Sequence, residues 1–444
     1  MGVAKTRKLA FEIICAVCEE GAKSHLRLTD TFAYRKDLTA KDRAVITNLV
    51  HGTLENLRLI DYRIDEVAKL PAAKMKPKLR CAVRLGFYQL LFLDRVPAGD
   101  AIRDSVELVR KSGYEGLTGF VNGVLRAAAK KTEWKTAPAA VTANLPDWLY
   151  TRFLQEFGKK RTREMIRSLN GKSPLTLRVN TSRSTVENVI RFLAEDGWQA
   201  EETLLPCALT LTRGENAAPL EQTAVISAGL AVVQDLAAIL SVALAAPKKG
   251  DRVLDLCAAP GGKTLHAADL VGESGSVDAC DLTETKVKNI EKNSVRCGFE
   301  HVRTQMADAR IFDPEKEEQY DLVIADLPCS GLGVMGRKPE IRYRVTEEEI
   351  RSLACLQREI LKNAVRYVKP GGKLLFSTCT MTEEENEANA AWIAEEAHFM
   401  ADDIRSSVPE ALSGGLIGEN CLQLLPSALS DGFFISVWTK SEQT

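Results

Sequence analysis

Hydrophobic residues in the first third of the chain recur at the spacing of α-helices. Between Val45 and Leu57, for example, apolar residues fall three or four positions apart, and almost no stretch before residue 132 alternates as a strand would. Breaks at Pro71, Pro97 and Gly113 separate segments of ordinary helix length. We therefore predict an all-helical domain over residues 1–140.

A linker and a small mixed module are predicted next. Residues 132–146 are poor in large apolar side chains and contain prolines, which is typical of a linker. A helical segment then precedes two alternating stretches, Leu175–Val179 and Ala208–Thr212, which we interpret as strands. This order predicts a small α+β module over residues 141–240.

The last part of the chain, residues 241–444, alternates short apolar strands with helical segments. Such alternation predicts an α/β domain of the Rossmann-like type built on a doubly wound parallel sheet, in which ligands bind at the carboxyl ends of the strands. The predicted strands are Arg252–Leu256, Ser276–Cys280, Asp321–Ala325 and Lys373–Ser377.

Composition narrows the class of protein. Apolar residues make up 45% of the chain without a long uncharged run, so we expect no membrane span. The 11 cysteines are an odd number at irregular spacing, which favours the reducing cytoplasm over a disulfide framework. Cys15 and Cys18 form an isolated Cys-x-x-Cys on a helical pattern, which we interpret as core packing, and we expect no metal site.

Charge is distributed unevenly along the chain although the net charge is only -1. Residues 1–140 contain 25 Lys and Arg against 16 Asp and Glu, so the helical domain is basic and the remainder is acidic. A basic domain indicates a polyanionic partner such as nucleic acid, and a solvated helix surface is the alternative.

The loop after the first of these strands carries glycines and opens a helix, as in the stretch Asp255–Thr264. Backbone amides at such a turn favour a nucleotide-like cofactor. The phosphate-binding Walker pattern does not fit, because it needs glycine where the chain has Cys257. The dinucleotide fingerprint also fits poorly, because Cys257 and Ala259 stand where its first glycines would be.

Two aspartates follow the next strands. Asp281 ends the second strand, where an acidic residue bonds ribose hydroxyls in Rossmann-type sheets, and the alternative is a helix N-cap. Asp308 follows the third strand, where its carboxylate could accept a hydrogen bond from an adenine amino group or simply close a turn.

Two cysteines follow predicted strands at the same sheet edge. Cys329 lies in the stretch Asp326–Ser330 and Cys379 in Ser377–Thr380. Thr382–Glu385 resembles a capping box, which predicts a helix start whose positive end would favour a thiolate at Cys379. Covalent catalysis is therefore one interpretation, and structural cysteines are the other.

Together these residues resemble a known family. The ordered set is similar to the S-adenosyl-L-methionine-dependent RNA cytosine-C5 methyltransferases of the Sun/Fmu (RsmB-like) type, which act on bacterial small-subunit ribosomal RNA. The residues that carry the resemblance are Cys257–Lys263, Asp281, Asp308, Asp326–Cys329, Thr378 and Cys379 with Glu384–Asn386, the stretches Arg84–Leu90 and Phe120–Arg126 of a NusB-like RNA-binding domain, Gly229, Gln234 and Asp235, and Asp431–Ile435.

The resemblance implies a role for each matching residue. Cys379 would be the nucleophile that attacks carbon 6 of cytosine, and Cys329 would assist release of the methylated base. The chemistry adds a hypothesis of its own: a hydrogen bond to the ring nitrogen favours the attack, and Asp326 could supply it if it is buried. The cofactor S-adenosyl-L-methionine would be bound by Cys257, Ala258, Ala259, Pro260, Gly261, Gly262, Lys263, Asp281, Asp308 and Asp326. Sequence spacing alone leaves the division of roles between the cysteines open.

The resemblance also implies a partner. We expect the substrate to be 16S ribosomal RNA, free or in an early small-subunit assembly intermediate, and the protein to be a cytoplasmic monomer. Four basic residues after Cys329 (Arg337, Lys338, Arg342 and Arg344) are expected to meet phosphates, and a solvated surface is the alternative. The alternatives are another RNA target, such as transfer RNA, and a non-catalytic RNA-binding antitermination factor.

Overall fold

A computed structural model describes residues 4–171, 174–396 and 399–442 of the chain. Two compact units are distinguished. The first consists of the residues up to Ile166 together with Met335–Arg344, and the second of Arg167–Val334 and Val345–Thr444. The predicted boundaries at residues 140 and 240 stay predictions.

Regular elements occupy most of the described chain. The helices are α1 (Lys5–Glu20), α2 (Ser24–Tyr34), α3 (Ala40–Glu55), α4 (Leu57–Val67), α5 (Pro77–Phe92), α6 (Ala98–Lys111), α7 (Thr118–Lys130), α8 (Ala139–Thr142), α9 (Asp147–Leu169), α10 (Val186–Glu195), α11 (Ala224–Ser227), α12 (Leu236–Ala245), α13 (Gly262–Val271), α14 (Glu284–Cys297), α15 (Ile341–Arg344), α16 (Glu347–Tyr367) and α17 (Glu387–Glu396). The strands are β1 (Leu175–Val179), β2 (Trp198–Glu202), β3 (Ala208–Arg213), β4 (Ala231–Val233), β5 (Arg252–Asp255), β6 (Ser276–Asp281), β7 (Val302–Met306), β8 (Tyr320–Asp326), β9 (Val368–Thr378), β10 (Phe399–Ala401), β11 (Leu416–Ile417), β12 (Cys421–Leu424) and β13 (Phe433–Lys440).

The first unit is helical, as its periodicity predicts. Its core is formed by the apolar faces of α1, α3, α4 and α5, where Ile14, Ile46, Ile60 and Phe87 are fully buried. Local signals set the helix ends: Thr39 and Asp42 form a capping box at the start of α3, and α1 ends at Gly21 in the left-handed region. The expectation of an all-α N-terminal domain is confirmed.

A short segment far along the sequence, Met335–Arg344, caps helices of this first unit. The buried carboxylate of Glu340 accepts hydrogen bonds from the backbone N–H (2.9 Å) and the hydroxyl (2.8 Å) of Ser24, the first residue of α2. Arg344 donates to the carbonyls of Val17 (2.6 Å) and Ala22 (2.7 Å) at the end of α1. A carboxylate at a helix N-terminus and a guanidinium at a C-terminus both complement the helix dipole.

The expected phosphate contact of Arg342 and Arg344 is therefore wrong. Arg342 is fully buried and lies within 3.5 Å of the carbonyl of Glu55, the last residue of α3. Three main-chain carbonyls accept from Arg344. The sequence could not reveal these contacts, because the carbonyls that accept hydrogen bonds from the two guanidinium groups lie about 300 positions earlier in the chain.

Replacing Glu340 by alanine should destabilise the start of α2. Two buried donors of Ser24 would lose their acceptor, which costs about 2 kcal/mol. Hydrogen–deuterium exchange should show faster exchange of the α2 amides, whereas Glu215→Ala, at an exposed loop position, should leave them unchanged. Equal protection of α2 in the Glu340 variant and the wild type would contradict the capping role.

The second unit begins with the small module. Its antiparallel strands lie in the order β2-β3-β1-β4, with α10 packed on one face through Val189 and Leu193. The predicted strand Leu175–Val179 is found as β1, paired with β3 and β4. The expected α+β module is confirmed.

The larger sheet of the second unit has the strand order β11-β12-β13-β9-β8-β5-β6-β7, with β10 paired to β13. Its five strands from β9 to β7 are parallel, as predicted. The four others are antiparallel additions, so the sheet is mixed and the prediction of a purely parallel sheet was incomplete. The Rossmann-like class itself is confirmed. Within the described ranges no helix is long and apolar enough to cross a membrane.

Candidate active site

The carboxyl ends of β5 and β8 meet where the strand order reverses. From β5 the sheet continues through β6 and β7 on one side, and from β8 it continues through β9 on the other. Ligands of open α/β sheets bind at this switch point. The register places Asp326 beside Ser377, so the turns that carry both predicted cysteines leave the same edge.

The glycine loop between β5 and α13 is held against β6. The Ala258 N–H donates to the Cys280 carbonyl (2.9 Å), and the Ala259 N–H donates to the carboxylate of Asp281 (3.0 Å). Gly261 has a φ of 108°, which side chains other than glycine rarely adopt. The turn leads directly into α13, whose first N–H groups have no partner within the helix.

Asp281 is buried at the end of β6. Besides the Ala259 N–H, its carboxylate accepts hydrogen bonds from the Leu282 N–H (2.7 Å) and the ammonium of Lys286 (2.9 Å). The alternative helix-cap interpretation does not fit, because α14 begins after Thr283 and none of the donors to Asp281 is an N–H group of its first turn. A carboxylate has about four acceptor positions, so one more donor can be accommodated.

Asp308 lies in the loop after β7 and pairs with Arg310. Hydrogen bonds from the guanidinium of Arg310 hold the pKa of Asp308 below its ordinary value. Asp308 also lines a cavity of about 300 Å³ whose other walls include Leu256 and the stacked rings of Phe312 and Tyr367. The apolar walls of such a cavity can enclose a flat ring, and the carboxylate at its rim can bond a polar group of that ring.

Asp326, the last residue of β8, forms an ion pair with Lys263. The Lys263 ammonium lies 2.7 Å from one carboxylate oxygen, and the Ser377 hydroxyl donates to the other at 2.8 Å. The ammonium also lies 4.9 Å from the ring centre of Phe433. Lys263 was predicted only as a cofactor ligand, whereas the structure joins it to the proposed base-contacting residue.

The sulfurs of Cys329 and Cys379 lie 3.3 Å apart. The hydrogen bond to Cys379, together with burial, raises the pKa of Cys329 well above its ordinary value. Either thiol can donate in this contact, and when Cys329 donates, its proton would stabilise a thiolate on Cys379. Burial also raises the pKa of Cys257, so that loop cysteine is a poor nucleophile.

Buried hydrogen bonds hold the Cys329 turn in place. Glu385 accepts from the Ser330 N–H (2.8 Å) and hydroxyl (2.6 Å), and Gln357 donates to the Pro328 carbonyl (2.9 Å). On the other turn, the Gly333 N–H donates to the Cys379 carbonyl at 3.0 Å. Both cysteines are thus positioned by fully paired neighbours, which limits their movement.

The helix predicted directly after Thr382 begins later. α17 starts at Glu387, and residues 383–386 form a turn in which the Thr382 hydroxyl donates to the Glu385 carboxylate (2.7 Å). Since helix fields act only over the first turn, the helix end is too remote to explain a thiolate at Cys379. A hydrogen bond donated by Cys329 would stabilise such a thiolate.

Asp255 was missed as a candidate, although it ends a buried strand directly before the glycine loop. One of its oxygens accepts from the Thr264 hydroxyl (2.7 Å), and the other is buried and has no hydrogen-bond partner within the described residues. Burial raises its pKa to about 7. The signal that could have found it is an acidic residue within an otherwise apolar strand end.

Asp255→Asn should make stability less dependent on pH. The pKa is raised from 3.8 to about 7, so between these values the unfolded chain releases a proton that the folded chain retains. Rising pH then lowers the free energy of unfolding of the wild type by at most about 4 kcal/mol. Asparagine can still accept the hydrogen bond from the Thr264 hydroxyl. The gain in melting temperature of the variant should grow from pH 4 to 7 and level off above; a constant difference would contradict it.

Within the described ranges, no group of three or more His, Cys, Asp or Glu side chains is arranged to hold a metal ion. Cys15 is part of the helical core, and Cys18 packs against it.

Three family models match consecutive parts of the chain. Residues 4–130 match the NusB family, residues 145–217 match the ferredoxin-like domain of RsmF/B-like methyltransferases, and residues 242–439 match the model described as 16S rRNA methyltransferase RsmB/F.

Relatives match over nearly the full length. The probable ribosomal RNA small subunit methyltransferase B of Bacillus subtilis is 32% identical, covering 97% of this chain and 97% of its own length. The ribosomal RNA small subunit methyltransferase B of Pasteurella multocida is 30% identical over 97% of this chain and 94% of its own length. Among solved structures, PH0851 is 27% identical with a TM-score of 0.84, covering 98% of this chain and 99% of its own.

Proposed function

The chain belongs to the 16S rRNA methyltransferase RsmB/F family, and we propose that it methylates carbon 5 of a cytosine in 16S ribosomal RNA through a covalent bond between Cys379 and carbon 6. The observation that carries the proposal is the pair of sulfurs 3.3 Å apart beside the Lys263–Asp326 ion pair. As a member of this family the enzyme uses S-adenosyl-L-methionine as its methyl donor.

The residues around the glycine loop fit that cofactor. Asp281 has an acceptor position for ribose hydroxyls, and Asp308 stands at the cavity rim, where it could accept from the adenine amino group. The stretch Cys257–Lys263 would supply N–H groups at the start of α13 to the charged end of the cofactor. When bound, S-adenosyl-L-methionine supplies an electrophilic methyl group.

Carbon 5 of cytosine is too weak a nucleophile to accept that methyl group directly. Addition of the Cys379 thiolate to carbon 6 forms an S–C6 bond and moves the electron pair of the C5–C6 double bond toward carbon 5. Carbon 5 would then take the methyl group as the bond from that group to the donor's sulfonium sulfur breaks and leaves its electron pair on the sulfur. Loss of the carbon-5 proton reforms the double bond, and the S–C6 bond breaks to return the thiolate.

The remaining residues account for the proton transfers. The Lys263–Asp326 pair holds an exchangeable proton that it can share with the ring nitrogen as Cys379 adds, because charge develops there. Cys329 is the candidate base for the carbon-5 proton. Its resting proton first passes to solvent, which this partly exposed side chain can reach, and the raised pKa then makes the freed thiolate a strong base.

The proposal is tested by identifying the nucleoside that the purified enzyme produces. A 16S transcript incubated with S-adenosyl-L-methionine should yield 5-methylcytidine on mass spectrometry of its nucleosides, and bisulfite mapping should locate a single position. Product on a transfer RNA but not on 16S RNA would reassign the substrate, and methylation at a ring nitrogen or ribose would refute the covalent route.

A further inference from the structure

A groove of about 520 Å³ lies between α6 and α7 of the helical unit, apart from every catalytic or cofactor-binding residue named above. Its floor is formed by the half-buried side chains of Ile102 and Val106. Its rim carries Arg103 and Arg110 from α6 and, from α7, Arg126 and Lys130. Four cations therefore surround the groove, and Glu107 is the one carboxylate among its lining residues.

The two sides of the groove differ in how their charges are compensated. On α6, Arg103 forms an exposed ion pair with Asp100 (2.9 Å), and Arg110 forms a partly exposed one with Glu107. On α7, Arg126 bonds the Asn122 amide oxygen (3.0 Å), and neither Arg126 nor Lys130 forms an ion pair with any described residue. Exposed pairs contribute little, so all four cations can turn to an external anion at small cost.

Two glycines on the same face of α7 support close approach of a partner. Gly119 and Gly123 are exposed, and a Cβ atom added at either would meet nothing within 4 Å. Glycine within a helix is less stable than alanine, so neither is explained by packing within the chain. Gly99, at the α6 side of the groove, is equally open.

We propose that this groove binds the sugar–phosphate backbone of the RNA substrate at a distance from the reacting base. The proposal rests on the proposed function for the identity of the RNA. A rim of four cations, of which Arg126 and Lys130 form no ion pair with any described residue, complements phosphate, and the open glycine backbone lets a sugar–phosphate chain approach α7 closely. An acidic protein segment is the competing partner.

Charge reversal in the groove should weaken RNA binding. For full-length Arg126→Glu/Lys130→Glu, we expect at least a tenfold loss of affinity for a 16S transcript and a slope of log K against log salt that is smaller by about 1 to 2. The loss should appear in the KM for RNA, whereas the affinity for S-adenosyl-L-methionine should match the wild type. Lys69→Glu/Lys74→Glu, exposed in the same unit and outside the groove, should change affinity less than threefold.

Filling the glycine positions gives a second test. Gly119→Ala/Gly123→Ala should raise the melting temperature and yet weaken RNA binding, a combination that a purely structural role would not produce. RNA affinity and salt slope equal to the wild type in both groove variants would overturn the proposal, and so would competition for the groove by polyglutamate but not by RNA. Absence of 5-methylcytidine would refute the proposed function alone, since RNA affinity is measured without catalysis.

Discussion

Cys379→Ala should abolish methylation, with kcat lower by more than about four orders of magnitude, because loss of a covalent nucleophile leaves no alternative route to an activated carbon 5. RNA and cofactor affinities should stay within a few-fold of the wild type, since the side chain is small and the hydrogen bond from the Gly333 N–H uses the backbone carbonyl of Cys379. The measurement is transfer of a labelled methyl group to RNA at saturating substrates.

Cys329→Ser should instead stop the reaction after the covalent adduct has formed. Cys379 can still attack, but removal of the carbon-5 proton loses its candidate base, so the protein–RNA adduct should accumulate. Denaturing gels of protein incubated with RNA and S-adenosyl-L-methionine should show a shifted band in this variant and none in Cys379→Ala. Cys355→Ser, at an exposed thiol, is the matched control and should behave as the wild type.

Two outcomes would overturn the assignment of roles. An adduct that persists in Cys379→Ala would make Cys329 the nucleophile. Turnover of adducts in Cys329→Ser as fast as in the wild type would assign proton removal to another group. The raised pKa of Cys329 disfavours the first outcome, because a protonated sulfur is a weak nucleophile.

The sequence predicted those parts of the fold that depend on local patterns. The strand at Leu175–Val179 and the parallel strands ending at Asp281 and Asp326 were recognisable because apolar runs of four to seven residues leave little choice of secondary structure. From those strand ends alone, both cysteine turns could be assigned to one sheet edge. The antiparallel strands β10 to β12 were missed because such short runs carry weak signals.

Long-range partners could not be predicted. The pairing of Glu340 with Ser24 joins residues 316 positions apart, and nothing near either residue announces it. The same holds for Lys263 and Asp326, which are 63 positions apart. Charged residues in the sequence were interpreted as ligands for phosphate or cofactor, but the chain itself uses several of them to cap helices or to pair with one another.

The Lys263–Asp326 pair should behave as one unit in catalysis. Asp326→Asn leaves the ammonium unpaired and Lys263→Met leaves the carboxylate unpaired, so each change should lower kcat by at least about 100-fold through loss of the shared proton and charge. Because the two groups act through one hydrogen bond of 2.7 Å, the double variant should be little worse than either single variant.

A second ion pair on the same strand provides a control that shows the effect of losing a carboxylate outside the active site. Asp321 lies at the opposite end of β8 and pairs with Lys369, so Asp321→Asn removes an equivalent carboxylate away from the cysteines. This variant should keep kcat within about threefold of the wild type, as expected for a partly exposed pair.

Single-turnover methylation with preformed enzyme–RNA complex isolates the chemical step from binding. A rate within threefold of wild type for Asp326→Asn would remove the pair from the mechanism, and strictly additive losses in the double variant would show that its two members act independently.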